Sequence, residues 1–330
     1  MSQTDDSPTK PSMQLLTENT AFSPEELAAC SKCGRKNPPT RLSCVYCGGA
    51  VDLPESERAD ARPTFRRPED WEKGFSIIVV SACDADPAAV ARASGAESEL
   101  AGRLLSQGKP LPLTRIASRA ESDAIVERLA SLGVTAIVAS DVELDAENAP
   151  RRLRRIGFDG DGLQFVPFGD ESEFRAAADD LVLIVTGALY RRRVESTEKR
   201  KKGESKILDA VETASDEPVV DLYFRDDAAG YRISSSGFDF SGLGAEKAIV
   251  AAENLKLIVA RLQEAAPQAR LDDGYLPARD LVGAVWQTEV RKDSFGMKRS
   301  SFGKFDLASV STSSNLVQFN RYSRLQRLLI

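Results

Sequence analysis

Four cysteines within eighteen residues, in a chain of 330 that has no histidine, constrain this sequence more than any other feature. Cys30, Cys33, Cys44 and Cys47 read C-x2-C-x10-C-x2-C, and Gly34 and Gly48 follow the two pairs. Two residues between thiols let backbone amides curl around one ion, and a glycine after each pair tolerates the positive φ of such a knuckle. Four thiolates give a closed tetrahedral site, so the pattern predicts one structural Zn2+ and not a catalytic one. Two disulfides fit poorly in a chain expected to be cytoplasmic, and a redox dithiol normally sits beside a βαβ unit. Iron–sulfur spacings are usually tighter or more irregular. A segment this short cannot build a sufficient core, so metal binding would supply its folding energy.

The cysteine pattern resembles the bacterial zinc ribbons and the Ran-binding-protein type of zinc finger. In the latter, Asn37 matches the asparagine after the second cysteine, Arg41 lies in the intervening loop, and Ala28 and Ala29 stand where the family places an aromatic. That resemblance implies stacking of RNA bases or gripping of ubiquitin. The reading adopted is a small zinc ribbon over 26–52, between a tail at 1–25 and a linker at 53–73. Both flanks are rich in Pro, Ser and Asp and too poor in apolar residues to order themselves.

The rest of the composition excludes more than it identifies. Without histidine, neither a Ser–His–Asp triad nor an H-E-x-x-H zinc protease can be built. The formal charge is −6, so no global field draws in nucleic acid or an anionic membrane. The opening "MSQTDDSPTKPSMQ" has no apolar core and is not expected to be a signal peptide. The most apolar run, "LVLIVTGALY" at 181–190, is short and β-branched, a buried strand and not a membrane span. The expected location is cytoplasmic.

Residues 74–145 read as a β-α-α-β-α-β unit. "FSIIVV" is a strand, Asp86 and Pro87 open a helix, and "AESELAGRLLSQG" is a second helix. "LPLTRIA" is a strand, Ser118 and Glu121 form a capping box, and "VTAIVAS" closes the unit. With "KPLPLTRIASRAESDAIVERLASLGVTAIV" in its second half, this order resembles the C-terminal domain of the bacterial ribosomal stalk protein and the related Clp-protease adaptor fold. In the stalk protein the first helix pair carries a Lys-rich surface that recruits translation GTPases. Here that stretch has only Arg92 and Arg103, so the fold is implied without that surface. Cys83, beside Asp84 and Asp86, reads as an idle thiol.

No catalytic family is recognised in the second half. "RRLRRIGFDGDGLQFVPFG" predicts a hairpin within a β-rich segment at 151–194, its "DGDG" a turn and not a calcium loop. Residues 195–215 read as an exposed charged helix or linker, with Glu195–Lys199 and Glu198–Lys202 at i,i+4. A further α+β domain is expected over 216–330. It has strands at "EPVVDLYFRD" and "GYRISSSGFDF" and a helix with Ala248, Ile249, Ala252, Leu255, Val259 and Leu262 inward. Two more helices follow, around Leu281–Trp286 and through "NLVQFNRYSRLQRLL".

Between 291 and 330 eight cations oppose two acids, a local charge of +6. Arg291, Lys292, Lys298, Arg299, Lys304, Arg321, Arg324 and Arg327, interleaved with Phe295, Phe302 and Phe305, are the candidate contacts to RNA or single-stranded DNA. Asp221, Asp239, Asp272 and Asp273 are candidates for a carboxylate-metal nuclease, though no motif links them. The fold class expected is α+β multidomain: ribbon, stalk-like layer, further α+β domain. The expected function is a non-enzymatic adaptor that docks to a protein or ribonucleoprotein complex. Direct nucleic-acid binding is the first alternative and a nuclease the second.

Overall fold

The computed structural model describes residues 22–23, 25–54, 65–69, 72–82, 84–159, 162–169, 172–201, 204–301 and 304–330. At 159, 197–201, 204–209, 228, 295–301 and 304–308 it describes the backbone alone. Most of the tail, Cys83, the Gly160–Asp161 turn and Phe302 lie outside the described residues. The chain divides into a small unit, 1–64, and a large one, 65–330.

The small unit is built on two short strands, β1 (Ala28–Ala29) and β2 (Lys36–Asn37), paired antiparallel. Isolated bridges Cys30↔Val51 and Ser43↔Ala50 close it. Leu42, Val51 and Leu53 are its buried aliphatic residues.

The large unit begins with the predicted β-α-α-β-α-β order: β3 (Phe75–Ala82), α1 (Pro87–Ser94), α2 (Ser98–Leu105), β4 (Leu111–Ile116), α3 (Arg119–Ser131) and β5 (Val134–Ser140). Their ends follow the sequence signals. Asp86 caps α1 through the N–H groups of Ala88 and Ala89, both at 3.1 Å, and Ser118 accepts from Glu121 N–H. The three strands form an antiparallel sheet in the order β4-β3-β5. A four-residue helix α4 (Asp141–Leu144) follows.

The remainder is a nine-stranded sheet with helices. Its strands are β6 (Arg151–Asp159), β7 (Gly162–Pro167), β8 (Phe174–Ala177), β9 (Leu181–Lys201), β10 (Glu204–Phe224), β11 (Asp227–Ser234), β12 (Arg270–Asp272), β13 (Glu289–Ser301) and β14 (Lys304–Ser314). The order is β13-β14-β9-β10-β11-β6-β7-β8, with β12 beside β9. Helices α5 (Ala251–Ala265), α6 (Tyr275–Val285) and α7 (Leu316–Leu328) complete it.

Strands β9 and β10 form the wall between two cores, because successive side chains on a strand point to opposite faces. Leu183, Val185, Val219 and Tyr223 join one cluster, while Ile184, Val220 and Leu222 join the other. A strand buried on both faces has to be a continuous apolar run, which is how 181–190 reads. The first cluster also contains Ile77 and Ile78 of β3, Trp286 beyond α6, and Phe319 and Tyr322 of α7. Trp286 Nε1 donates to Ser76 Oγ of β3 at 2.9 Å. At Gly187 a Cβ would stand 2.3 Å from the Phe319 ring, so the glycine lets α7 press directly on β9.

Several expectations change here. Residues 74–145 and 216–330 share one core instead of forming separate bodies. Part of the expected linker belongs to that body: Arg66 O accepts from Ala117 N–H at 2.9 Å, and Arg66 holds Glu72 at 2.6 Å. Residues 195–201 and 204–215 lie in strands β9 and β10, not in a helix. A spacing of i,i+4 also puts two residues on one face of a strand, so the charge pairs fitted both periods. Ile249 precedes α5 and is fully exposed, whereas Leu255, Ile258 and Leu262 face inward. Among the described residues no helix is long and apolar enough to cross a membrane.

Candidate metal centre

Two matching knuckles bring the four cysteines together. Gly34 N–H donates to Cys30 O and Gly48 N–H to Cys44 O, each at 2.9 Å. The two glycines have φ of 68° and 69°, the left-handed conformation their place after each pair requires. Lys32 N–H points at Cys30 Sγ and Tyr46 N–H at Cys44 Sγ, both at 3.4 Å. These N–H groups would stabilise thiolates, the form that binds metal.

Cys30 Sγ lies 3.6 Å from Cys47 Sγ, and Cys33 Sγ lies 3.7 Å from Cys44 Sγ. All four sulfurs fall within 4.8 Å of one another. A tetrahedron of Zn–S bonds near 2.3 Å has sulfur–sulfur edges of about 3.8 Å, whereas a disulfide requires about 2.05 Å. The four sulfurs can hold one metal ion and are compatible with a zinc ribbon.

Asn37 ties the knuckles together and is completely buried. Its Nδ2 donates to Arg35 O at 2.8 Å and faces Cys44 Sγ at 3.4 Å, while its Oδ1 accepts from Val45 N–H at 2.9 Å. One side chain thus links a carbonyl of the first knuckle to a ligand and an amide of the second.

The metal-free thiols divide unequally. Burial raises the Cys44 thiol, but N–H groups of Tyr46 and Cys47 and the Asn37 amide outweigh it and bring the group down to about 6. At Cys47 the Gly49 N–H favours the thiolate, yet the surrounding thiols of Cys33, Cys30 and Cys44 prevail and push it up to about 12. Near neutral pH the cluster keeps at least one proton that a metal ion would have to displace.

The tip of the second knuckle carries an exposed apolar pair, Val45 and Tyr46, at 50% and 58% exposure. The Arg35 guanidinium lies over the Tyr46 ring at 4.8 Å. These residues were missed in the sequence. The signal available was their place between Cys44 and Cys47, where a knuckle turns outward.

The C-terminal cations whose side chains are described do not all share one surface: Arg291 and Arg321 line one cavity, while Arg324 and Arg327 reach other parts of the body. Arg291 and Lys292 are exposed on β13, with Arg291 paired to Asp293 at 3.2 Å. Lys298, Arg299 and Lys304 stand on β13 and β14, where only the backbone is described. Arg321 turns toward Asp141 at 3.6 Å, and its burial there lowers its affinity for the proton. Arg324 is buried over the Tyr223 ring and donates to Asn148 O, and Arg327 donates to Phe224 O and Arg225 O. These last three act as ties between α7 and the body.

The four aspartates are likewise engaged separately. Asp221 is buried in a two-pronged pair with Arg232, at 2.6 and 2.7 Å. Asp239 caps a short 3-10 turn through Ser241 N–H, Asp272 accepts from Tyr322 Oη, and Asp273 pairs with Lys109 on the surface. Among the described residues the thiolate cluster is the one group of three or more ligand side chains close enough for a metal ion.

Compared with known proteins, the chain matches no family model, no curated protein and no solved structure.

Proposed function

We propose that the protein is a non-enzymatic adaptor whose ribbon, held by one structural Zn2+, docks to a protein or ribonucleoprotein complex. The observation that carries this reading is the Val45–Tyr46 pair, exposed at the tip of a knuckle whose backbone the metal would fix. An aromatic presented on a rigid loop loses little entropy on binding, which is why such residues anchor interfaces. The β-α-α-β-α-β layer is similar in element order to the stalk-protein domain. Its strand β3 is buried on both faces within the body, which leaves the ribbon as the better candidate for docking.

Tyr46→Ala, with Val45→Ser beside it, is expected to abolish co-purification of the partner while one zinc per chain is retained. Unchanged recovery of the same partner by the double variant would defeat the reading. A second reading, binding of RNA or single-stranded DNA, draws on the Arg35–Tyr46 stack and the nearby Lys32, Lys36 and Arg41. Nuclease treatment separates the two. Partners that survive it support the protein complex, and partners lost with it, together with steep salt dependence, support nucleic acid.

A further inference from the structure

Four strands form an arm of the sheet: β13, β14, β9 and β10, side by side in that order. Its register runs through Ser314↔Arg191 to Phe305↔Arg200 between β14 and β9, and Ser215↔Arg191 to Glu204↔Lys201 between β10 and β9. The partner of β10 on its other side, β11, covers only Val219–Phe224. Pro218 O also accepts from Ser235 N–H at 3.1 Å. Among the described residues, β10 before Glu217 and all of β13 therefore have one backbone edge without a paired strand.

Exposure agrees with that topology. Every residue from 210 to 216 on β10, and from 289 to 294 on β13, is exposed, whichever face it occupies. Of the two strands between them, β14 is buried or half-buried over 309–314, while β9 exposes Arg191, Arg192, Arg193 and Glu195 on its faces. Val211 and Val290, at 56% and 68% exposure, are apolar residues on these outer strands. Long unpaired edges of this kind are templates for another strand, and proteins usually blunt them.

The two edges differ in sign. From Glu204 to Glu217, β10 carries five acids and one lysine; from Glu289 to Ser301, β13 carries four cations and two acids. Glu212 pairs with Arg192 at 2.7 Å, Asp216 with Arg279 at 3.1 Å and Asp293 with Arg291 at 3.2 Å, and Glu217 accepts from Ser236; counted over the sequence, each edge keeps its sign. Their directions differ as well. Each strand of the arm is antiparallel to its neighbour, so β13 and β10 run opposite ways.

We infer that the arm pairs with a second copy of this chain, the basic β13 edge of one adding to the acidic β10 edge of the next. Copies related by a simple advance across the strands would continue one antiparallel sheet, and the contact is head-to-tail, so it does not close by itself. Each copy would add four strands, about 19 Å of sheet. The twist accumulated over them is roughly 80–100°. Successive bodies would then point in different directions around the sheet, and the same direction recurs only after about four copies.

The test uses the full chain and light scattering over a concentration series at low and high salt. The wild type is expected to grow beyond a dimer with concentration, and to shrink as salt screens the edges. Proline blocks each edge: of Thr213→Pro and Ala214→Pro on β10, and of Arg291→Pro and Lys292→Pro on β13, one in each pair removes an outward N–H without breaking a bond in the chain. It is recognised by wild-type thermal unfolding. Each blocked protein alone should be monomeric, and a mixture of the two should stop at a dimer, because only one complementary junction remains. The Arg291→Glu/Lys292→Glu variant, which leaves the backbone N–H groups in place, should also be monomeric. A wild type that stays monomeric, assembly that survives in both blocked variants, or symmetric dimers of one blocked variant alone would each overturn the inference.

Discussion

In the ribbon, Leu42, Val51 and Leu53 are the buried aliphatic residues, whereas the body encloses two clusters on opposite faces of the β9–β10 wall. The ribbon has four thiols and an asparagine where the body has Trp286, Tyr223, Phe319 and Phe165. One chain thus uses two sources of order. A metal ion would organise a segment whose apolar area is too small to repay its chain entropy, while burial alone organises 65–330. The difference teaches where function can sit. A ribbon held from within by ligation can expose Val45 and Tyr46 at little cost, but a body held by burial spends its large apolar residues on its own cores.

The largest effect expected is that of Cys44→Ser. Losing one of four thiolates should remove the metal, whose binding is worth about 10–16 kcal/mol in small zinc modules, and unfold the ribbon entirely. Amide exchange should then be fast throughout 28–53 and unchanged in 75–140. Protection lost equally from both regions would break the distinction between them.

The converse substitution is Trp286→Ala. The indole is 1% exposed and hydrogen-bonded to Ser76, so its removal should cost the body about 3–5 kcal/mol. Denaturant unfolding of the body checks this, and metal content should stay at the wild-type level.

Asn37→Ala tests the ribbon more finely. It removes both knuckle ties and the Nδ2 contact to Cys44 Sγ while leaving all four ligands in place, and should weaken zinc binding by about 10–100-fold, as loss of groups that orient metal ligands typically does. Competition with a coloured chelator measures it.

The smallest effect is that of pH. Because Cys47 holds its proton up to about 12, zinc must displace it, so affinity should fall by at least about tenfold for each unit of acidification near pH 7. The slope should steepen below about 6, where Cys44 also takes up a proton. Affinity independent of pH between 6 and 8 would mean that the thiols are not the ligands.

Much of this arrangement was legible in local sequence. The cysteine spacing located the cluster, the glycines after each pair located its left-handed turns, and Asp86 and Ser118 marked helix starts where the structure has them. What was not legible depends on distant partners. Nothing around Arg324 signals that its guanidinium lies over Tyr223, a hundred residues earlier, so a cation serving as a tie read as a surface charge. Residues 195–200 of β9 lie beside β14, whose sequence is a hundred residues further on, and 204–215 of β10 fold back on that same β9. The single core of the body follows from Trp286 meeting Ser76, a contact that no periodicity encodes. Ile249 shows the opposite error, since an apolar residue at helical spacing was placed inside a helix that begins two residues later.

The metal carries the distinction between ribbon and body. The direct measurement is elemental analysis of the protein as purified, paired with amide exchange across 28–53 before and after chelation. One zinc per chain, with protection of the ribbon lost on chelation and restored by added zinc, is the predicted result. A ribbon that stays protected with no metal bound would contradict it.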